Sequence, residues 1–280
     1  MNSILEETRF LLKKYHIGAN KSLGQNFLIN QNVIDNIISS AEIDKDDLVI
    51  EIGPGLGSLT AKLLEVAGKV ISIELDDRMV NILEDRFKFY NNFSLIHDDI
   101  LKVDLKALIA EEANFSSVKI VANLPYYITT PIIMKLLENM LPIKSITVMV
   151  QKEVADRLTA IPGSKNTGAI TYCVYYYCTA KEVLLVPNNS FIPAPEVNSE
   201  VIKLDIRKVP PVELENKELF FRVIKASFMQ RRKTLLNGLT NSKIATKEVL
   251  KSMLHDLNLD ENIRGEGLSI EQFAKISNYL

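Results

Sequence analysis

The stretch "VIEIGPGLGSLT", residues 49–60, passes from an apolar, β-branched run straight into a helical pattern, with Gly53, Gly55 and Gly57 at the turn. Glycine accepts positive φ and lets a ligand approach the backbone closely, and the helix that follows offers N–H groups with no intrahelical acceptor. A GxG after a strand therefore points to a nucleotide-like ligand. The dinucleotide fingerprint GxGxxG, counted from Gly53, needs its third glycine at position 58, which is Ser58; it would seat a pyrophosphate on the helix N-terminus. The GxGxG spacing with Glu51 two residues ahead looks instead like a loop for adenosylmethionine. That ligand carries a sulfonium and an amino-acid end but no phosphate, so an acid before the loop is tolerable.

Outward from this loop, "DLVIEI" (47–52), "KVISIE" (69–74), "FSLIH" (93–97), "VKIVAN" (118–123) and "SITVMVQ" (145–151) are Val- and Ile-rich runs of strand length, and three of the four gaps between them include a plausible helix. Near-continuous apolarity marks strands buried on both faces, and alternation with helices marks a parallel sheet covered on both sides. The fold class is α/β, doubly wound. After residue 165, "YCVYYYC", "KEVLLV" and "SEVIKLDI" are predicted as further strands that complete the sheet antiparallel. "VPP" at 209–211 breaks the chain, and from Lys217 to Leu280 the apolar spacing is helical. The predicted domains are 1–208, with an N-terminal helical extension, and 209–280, all helical.

Composition sets bounds. With 280 residues, 47% hydrophobic and 24% charged, the chain can bury a large core without disulfides or metals. Cys173 and Cys178 are spaced to fall on opposite faces of the predicted strand and are expected to be core thiols. The N-terminus mixes acids and bases and lacks the form of a secretion signal, and no run approaches the ~20 apolar residues needed to cross a bilayer. A cytoplasmic location is expected. Net charge of −2 does not announce a nucleic-acid binder, but "KASFMQRRK" carries Lys225, Arg231, Arg232 and Lys233 without an acid; charge alone reads it as a solvated helix face.

Two strand ends carry further chemistry. Glu74 closes "VISIE", where a carboxylate can accept both ribose hydroxyls. "IHDDI" ends the next strand with two acids, and spacing does not choose between Asp98 and Asp99 as the acceptor of an adenine amino group. "NLPY", Asn123 to Tyr126, follows the fourth strand. The exocyclic amine of adenine is a poor nucleophile because its lone pair is delocalised into the ring. Acceptors drawing both N–H bonds out of the ring plane make that pair available. The Asn123 side-chain oxygen and a carbonyl beside Pro125 can be those acceptors, and Tyr126 can stack on the base. A helix is predicted to start just beyond, capped by Thr129 or Thr130 with Pro131 as its first residue.

"KSLGQNFL", "EIGPGLGSLT", "DIL", "NLPYYITTPI", "QKEVADRL", "PGSKNTGAIT", "FIPAPEVNSEV", "FMQRRKTLLNGL" and "RGEGLSIEQF" together resemble the small-subunit (16S) ribosomal RNA adenine N6,N6-dimethyltransferase family, in the family's order and over nearly the whole chain. The resemblance implies a Rossmann-like seven-stranded methyltransferase sheet and S-adenosylmethionine as cofactor. It implies that Asn26 and Leu28 meet the methionine end, Gly53 lies under it with Gly55 and Gly57 in the loop, Glu74 holds the ribose, Asp99 takes the adenine, and Asn123 touches cofactor and target. Asn123, Leu124, Pro125 and Tyr126 then form the catalytic turn, with Phe191 of "FIPAP" as the second face of a target-base sandwich; from the residues alone Phe191 is a loop anchor. Arg231, Arg232 and Lys233 become ribosomal RNA contacts. The implied partner is small-subunit RNA within an assembling 30S particle, methylated at two adjacent adenosines of a 3′-terminal hairpin loop, by a monomer without metal. One departure is Asn166–Thr167, where many relatives carry an aromatic residue after "GSK"; it is expected to alter a surface near the RNA. The alternatives are a large-subunit (23S) adenine methylase of the antibiotic-resistance type and a non-catalytic assembly factor.

Overall fold

In the computed structural model, residues 3–20, 23–112, 114–230 and 232–280 are described. The strands are β1 (Phe27–Leu28), β2 (Asp47–Ile52), β3 (Lys69–Glu74), β4 (Phe93–His97), β5 (Ser117–Asn123), β6 (Ser145–Gln151), β7 (Cys178–Val186), β8 (Phe191–Ile192) and β9 (Ser199–Ile206). The helices are α1 (Ile4–Lys14), α2 (Gln31–Ala41), α3 (Ser58–Val66), α4 (Asp77–Phe87), α5 (Leu105–Glu111), α6 (Thr129–Glu138), α7 (Lys152–Thr159), α8 (Ala169–Tyr177), α9 (Lys217–Met229), α10 (Leu235–Asn241), α11 (Lys247–Asp256) and α12 (Ile270–Tyr279). Two compact units emerge, Met1–Ala155 with Ala180–Ile206, and Asp156–Thr179 with Arg207–Leu280.

The first unit holds the doubly wound sheet, in the order β4-β3-β2-β5-β6-β9-β7. β2, β3, β4, β5 and β6 run parallel, and β9 lies antiparallel to β6. All six residues of β2 are buried, with Leu48, Val49 and Ile50 fully so; helices on both faces account for that uniform apolarity. One face packs Val49, Val70 and Val121 with Ile34 and Ile37 of α2, Leu63 of α3 and Leu83 of α4. The chain winds outward from β2 through β3 to β4, then returns to β5 on the other side of β2. That reversal opens a crevice at the carboxyl ends of β2 and β5.

The second unit is helical, and it takes residues 156–179 from inside the span expected for the sheet domain. "YCVYYYC" is not a strand: it forms α8 and the first residue of β7. Tyr172 and Tyr176 stand four residues apart on one helix face. The Tyr172 ring meets Phe273 edge-on at 4.9 Å, and its hydroxyl donates to the Leu268 carbonyl at 2.6 Å. Tyr176 packs against Phe220 and Phe221 of α9. This core overrides the β-propensity of a Tyr- and Val-rich run. Cys173 and Cys178 are buried and unbridged, as expected, although not on opposite faces of a strand. Thr167 is also internal, 1% exposed, and its hydroxyl donates to the carbonyls of Ser164 and Glu266. Asn166, the residue that follows "GSK", is exposed, so a surface change falls there, whereas Thr167 beside it is an internal tie.

The start of α6 differs from expectation too. The helix begins at Thr129, after a 3-10 turn over Tyr126–Ile128, and the Thr129 hydroxyl donates to the Pro125 carbonyl rather than capping. Pro131 is thus the third helical residue, still inside the first turn where a missing N–H loses no intrahelical bond.

Toward the amino ends of the central strands β2 and β5, Lys119 and Asp47 form an ion pair at 2.6 Å with both side chains 3% exposed. Burial would raise the Asp47 pKa, but the bonds from Lys119 and Ser117 outweigh it and hold the carboxyl below its ordinary value. Removing one partner of such a pair strands the other charge. Lys119→Met is expected to lower the unfolding free energy by about 3 kcal/mol or more, read as a reduced urea midpoint at unchanged slope.

Candidate active site

The crevice at the β2/β5 reversal is a cleft of about 1100 Å³ counted out to its open mouth. Five chain segments meet there: the loop before β1, the glycine turn, and the ends of β3, β4 and β5. Asn26, Leu28, Gly53, Gly55, Glu74, Asp99, Asn123, Leu124, Pro125 and Tyr126 all line it. Residues nearly one hundred positions apart converge because each sits at or just past the carboxyl end of a strand of one parallel sheet, or in or beside the short strand β1.

Two of the residues singled out from sequence do not line the cleft. Gly57 is buried, with φ of +83°, and a Cβ there would sit 2.6 Å from the Phe87 ring, so the glycine lets α3 approach α4. Phe191 is 2% exposed within the core, its backbone paired with Leu28 across β8 and β1. It supports the cleft wall from behind. Arg232 and Lys233 are exposed in the turn between α9 and α10 on the second unit, and Arg231 lies outside the described residues.

The floor of the cleft is acidic. Glu74, 7% exposed, accepts main-chain N–H groups from Gly55, Leu75 and Asp76 at 2.9–3.0 Å. Burial nevertheless raises its pKa against those three bonds. Glu51 lies deeper, at 1% exposure; one oxygen accepts from Thr60 and Ser72 hydroxyls, both at 2.7 Å, while Oε1 has no partner. Burial pushes this carboxyl up to about 7. At the end of β4 the two adjacent acids differ: Asp98 is exposed, and Asp99, half-buried, accepts from Leu101 N–H through Oδ1. The unpartnered Glu51 oxygen, a carboxylate at the β3 end and open space over the glycine turn together fit a ligand with a cationic amino-acid end and a ribose.

Asn123 is oriented. Its Nδ2 donates to the Asn26 carbonyl at 3.3 Å, so Oδ1 is left to accept. The Pro125 carbonyl is occupied by Thr129 and Ile128. The Leu124 carbonyl accepts no bond from any described residue, which makes it the open acceptor of the turn. The loop carrying Asn26 is anchored on its other side by Gln25, whose Oε1 accepts from Asn20 N–H and whose Nε2 donates to Asp76 at 2.7 Å.

Sequence reasoning did not find Thr60, Ser72, Gln25, Tyr127 or Ser199. Tyr127 lines the cleft at 53% exposure, with its ring edge against Gly24. Ser72 had a readable signal, being a polar residue at an inward position amid the apolar run of β3. Gln25 had none, since its partner lies fifty-one residues away.

A doubly wound sheet with a glycine turn, strand-end acids and this cleft at its switch point defines the methyltransferase class of α/β proteins. The chain belongs to the ribosomal RNA adenine dimethylase family, whose profile matches residues 17–280. It is 50% identical over 277 residues to the ribosomal RNA small subunit methyltransferase A of Bacillus pumilus (strain SAFR-032), covering 98% of this chain and 95% of the relative. The protein of that name from Clostridioides difficile (strain 630) is 48% identical over 273 residues, covering 98% and 94%. Among solved structures, a dimethyladenosine transferase from Plasmodium falciparum superposes with a TM-score of 0.74 at 29% identity, covering 89% of this chain and 95% of that one. The 23S rRNA methyltransferase ErmE shares the fold, with a TM-score of 0.67 at 23% identity over 91% and 99%.

Glu51 gives the cofactor-free protein a pH signature. Below its ordinary value of 4.5 the carboxyl is protonated folded or unfolded, and burial costs nothing extra. Between there and about 7 the folded state keeps a proton the unfolded state has released, so stability falls as pH rises. Glu51→Gln should remove that fall, about 3 kcal/mol when complete. The check is urea unfolding of both proteins at pH 5 and pH 8; equal pH dependence in the two would count against the assignment.

Proposed function

We propose that the protein transfers methyl groups from S-adenosylmethionine to the N6 amines of two adjacent adenosines in the 3′-terminal hairpin loop of small-subunit (16S) ribosomal RNA, converting each to the dimethyl form. The family membership and the names of its relatives support the reaction and the RNA. The observation that carries the site is the orientation of Asn123, which turns an acceptor oxygen into the cleft beside the open Leu124 carbonyl.

Asn26, Leu28, Gly53, Gly55, Glu74, Asp99 and Asn123 would hold the cofactor. When bound, it supplies an electrophilic methyl carbon on a sulfonium. The protein's own contribution is positional. Asn123 Oδ1 and the Leu124 carbonyl each take one N–H of the target amine, which draws the nitrogen out of conjugation and points its lone pair along the transfer line. Tyr126 stacks on the base and favours the positive charge that develops. No metal is needed for this chemistry. Each transfer leaves the nitrogen a surplus proton, which passes to solvent; after one transfer a single N–H remains to be held, and after two none does, so the finished base has lost the grip that retained its precursor.

Arg232 and Lys233, together with Arg231, are read as phosphate contacts, which supply affinity without sequence information. Unstacked hairpin-loop bases are the accessible kind for such an enzyme. Within an assembling 30S particle the protein acts as a cytoplasmic monomer on this reading; among the described residues no helix is long and apolar enough to cross a membrane.

Asn123→Ala should retain RNA binding in a filter assay and lower the methylation rate at least about a hundredfold, some 3 kcal/mol of barrier. Labelled methyl transfer to purified small- and large-subunit particles tests the substrate. Incorporation into the large subunit alone would overturn the choice of RNA, and full activity in Asn123→Ala would overturn the site.

A further inference from the structure

Tyr126 is the cleft residue whose ring must keep one place if it is to stack on a base, yet the turn that carries it is short. Its backbone is set by Pro125, at φ of −60°, and by the 3-10 turn over Tyr126–Ile128. A tyrosine on such a turn still has its χ1 rotamers, which swing the ring through several ångströms. The far end of the side chain is also fixed. The Tyr126 hydroxyl lies 2.6 Å from Ser199 Oγ, and the two share a hydrogen bond. Ser199 is fully buried and opens β9, where it pairs with Gln151 at the carboxyl end of β6.

The loop that delivers Ser199 is itself held. Asn198 Oδ1 accepts from Asn188 N–H, its carbonyl accepts from Lys152 N–H, and Asn188 Nδ2 donates to the Pro195 carbonyl. Upstream, the carbonyl and hydroxyl of Ser190 accept from Ile29 N–H and Asn30 Nδ2. The serine hydroxyl is thus a rigid point on the sheet and not a mobile surface group.

We infer that Ser199 is a positioning residue for methyl transfer, pinning the Tyr126 ring through its phenol so that the base-stacking surface stands ready before RNA arrives. The inference rests on the reading of Tyr126 as the stacking residue. A hydrogen bond at the para oxygen fixes where the ring's long axis points and excludes the other χ1 wells. Without it the ring samples orientations that block or miss the base, and each encounter must wait for the correct one. The contribution is to preorganisation, so it is read in the rate of transfer and not in the affinity for the cofactor.

The test compares Ser199→Ala, Tyr126→Phe and the double variant in single-turnover methylation of small-subunit particles, with S-adenosylhomocysteine binding measured alongside. Each single variant removes one half of the same bond and should slow transfer about five- to tenfold, with unchanged affinity for S-adenosylhomocysteine. The double variant should be no slower than the slower single one, because the interaction is lost only once. Multiplicative losses, or a wild-type rate in Tyr126→Phe, overturn the inference; Tyr126→Phe alone suffices if Ser199→Ala does not fold. Tyr126→Ala separates the two levels. A wild-type rate in that variant sinks the reading of the site itself, whereas an inactive Tyr126→Ala beside fully active single variants sinks only the role of Ser199.

Discussion

A single contact, the Asn123 amide on the Asn26 carbonyl, joins the two halves of the cleft. Asn123 ends β5 and Asn26 precedes β1, so the bond closes one side of the crevice created where the chain reverses beside β2. It also decides which end of the amide faces inward, and with it whether the site presents an acceptor or a donor. Gln25 extends the tie to Asp76, which caps α4 through Arg78 N–H. The acid at the end of β3, the loop and the turn after β5 therefore form one connected frame. Displacing any member disturbs the others.

The electrostatics of that frame are uneven. Glu51 and Glu74 sit at the floor of the cleft, and both are harder to ionise than usual because burial removes the water that would solvate them. Their remaining negative potential favours a sulfonium and an ammonium and disfavours phosphate. The cations read as RNA contacts lie on the other unit. An RNA strand meeting this protein finds no welcome for its backbone in the cleft, only for a base. Selection of a nucleobase over a nucleotide end follows from charge before any hydrogen bond is counted.

Much of this was legible in the residues. β2, β3, β4, β6 and β9 occupy the predicted spans, and β5 begins one residue early; for β2, β5 and β6, buried almost throughout, an apolar run marks the strand. The cleft was legible for a related reason: its residues fall at strand ends, and strand ends of a parallel sheet share an edge. Where reading failed, a partner distant in sequence decided the outcome. "YCVYYYC" became helical because Phe220, Phe273 and the Leu268 carbonyl offer a core for one face of a helix, and none of these is near it in the chain. Gly57 reads as part of a ligand loop, but its packing role was hidden, because the Phe87 ring that fills the space a Cβ would need lies thirty residues on. Thr167 looked superficial because its neighbours are Gly, Ser and Asn, and its acceptor on Glu266 lies ninety-nine residues on.

The helical unit is assembled from two stretches of chain, with nearly all of β7 and the whole of β8 and β9 between them. During synthesis, α8 leaves the ribosome roughly one hundred residues ahead of α12, against which Tyr172 finally rests. Until α9 emerges that aromatic face has nothing to cover it, and Tyr172 lacks Phe273 until the end of translation. A chain stopped near residue 208 would carry a completed sheet and a helix whose tyrosines stay wet, so premature termination should yield a sticky product and not a smaller soluble enzyme.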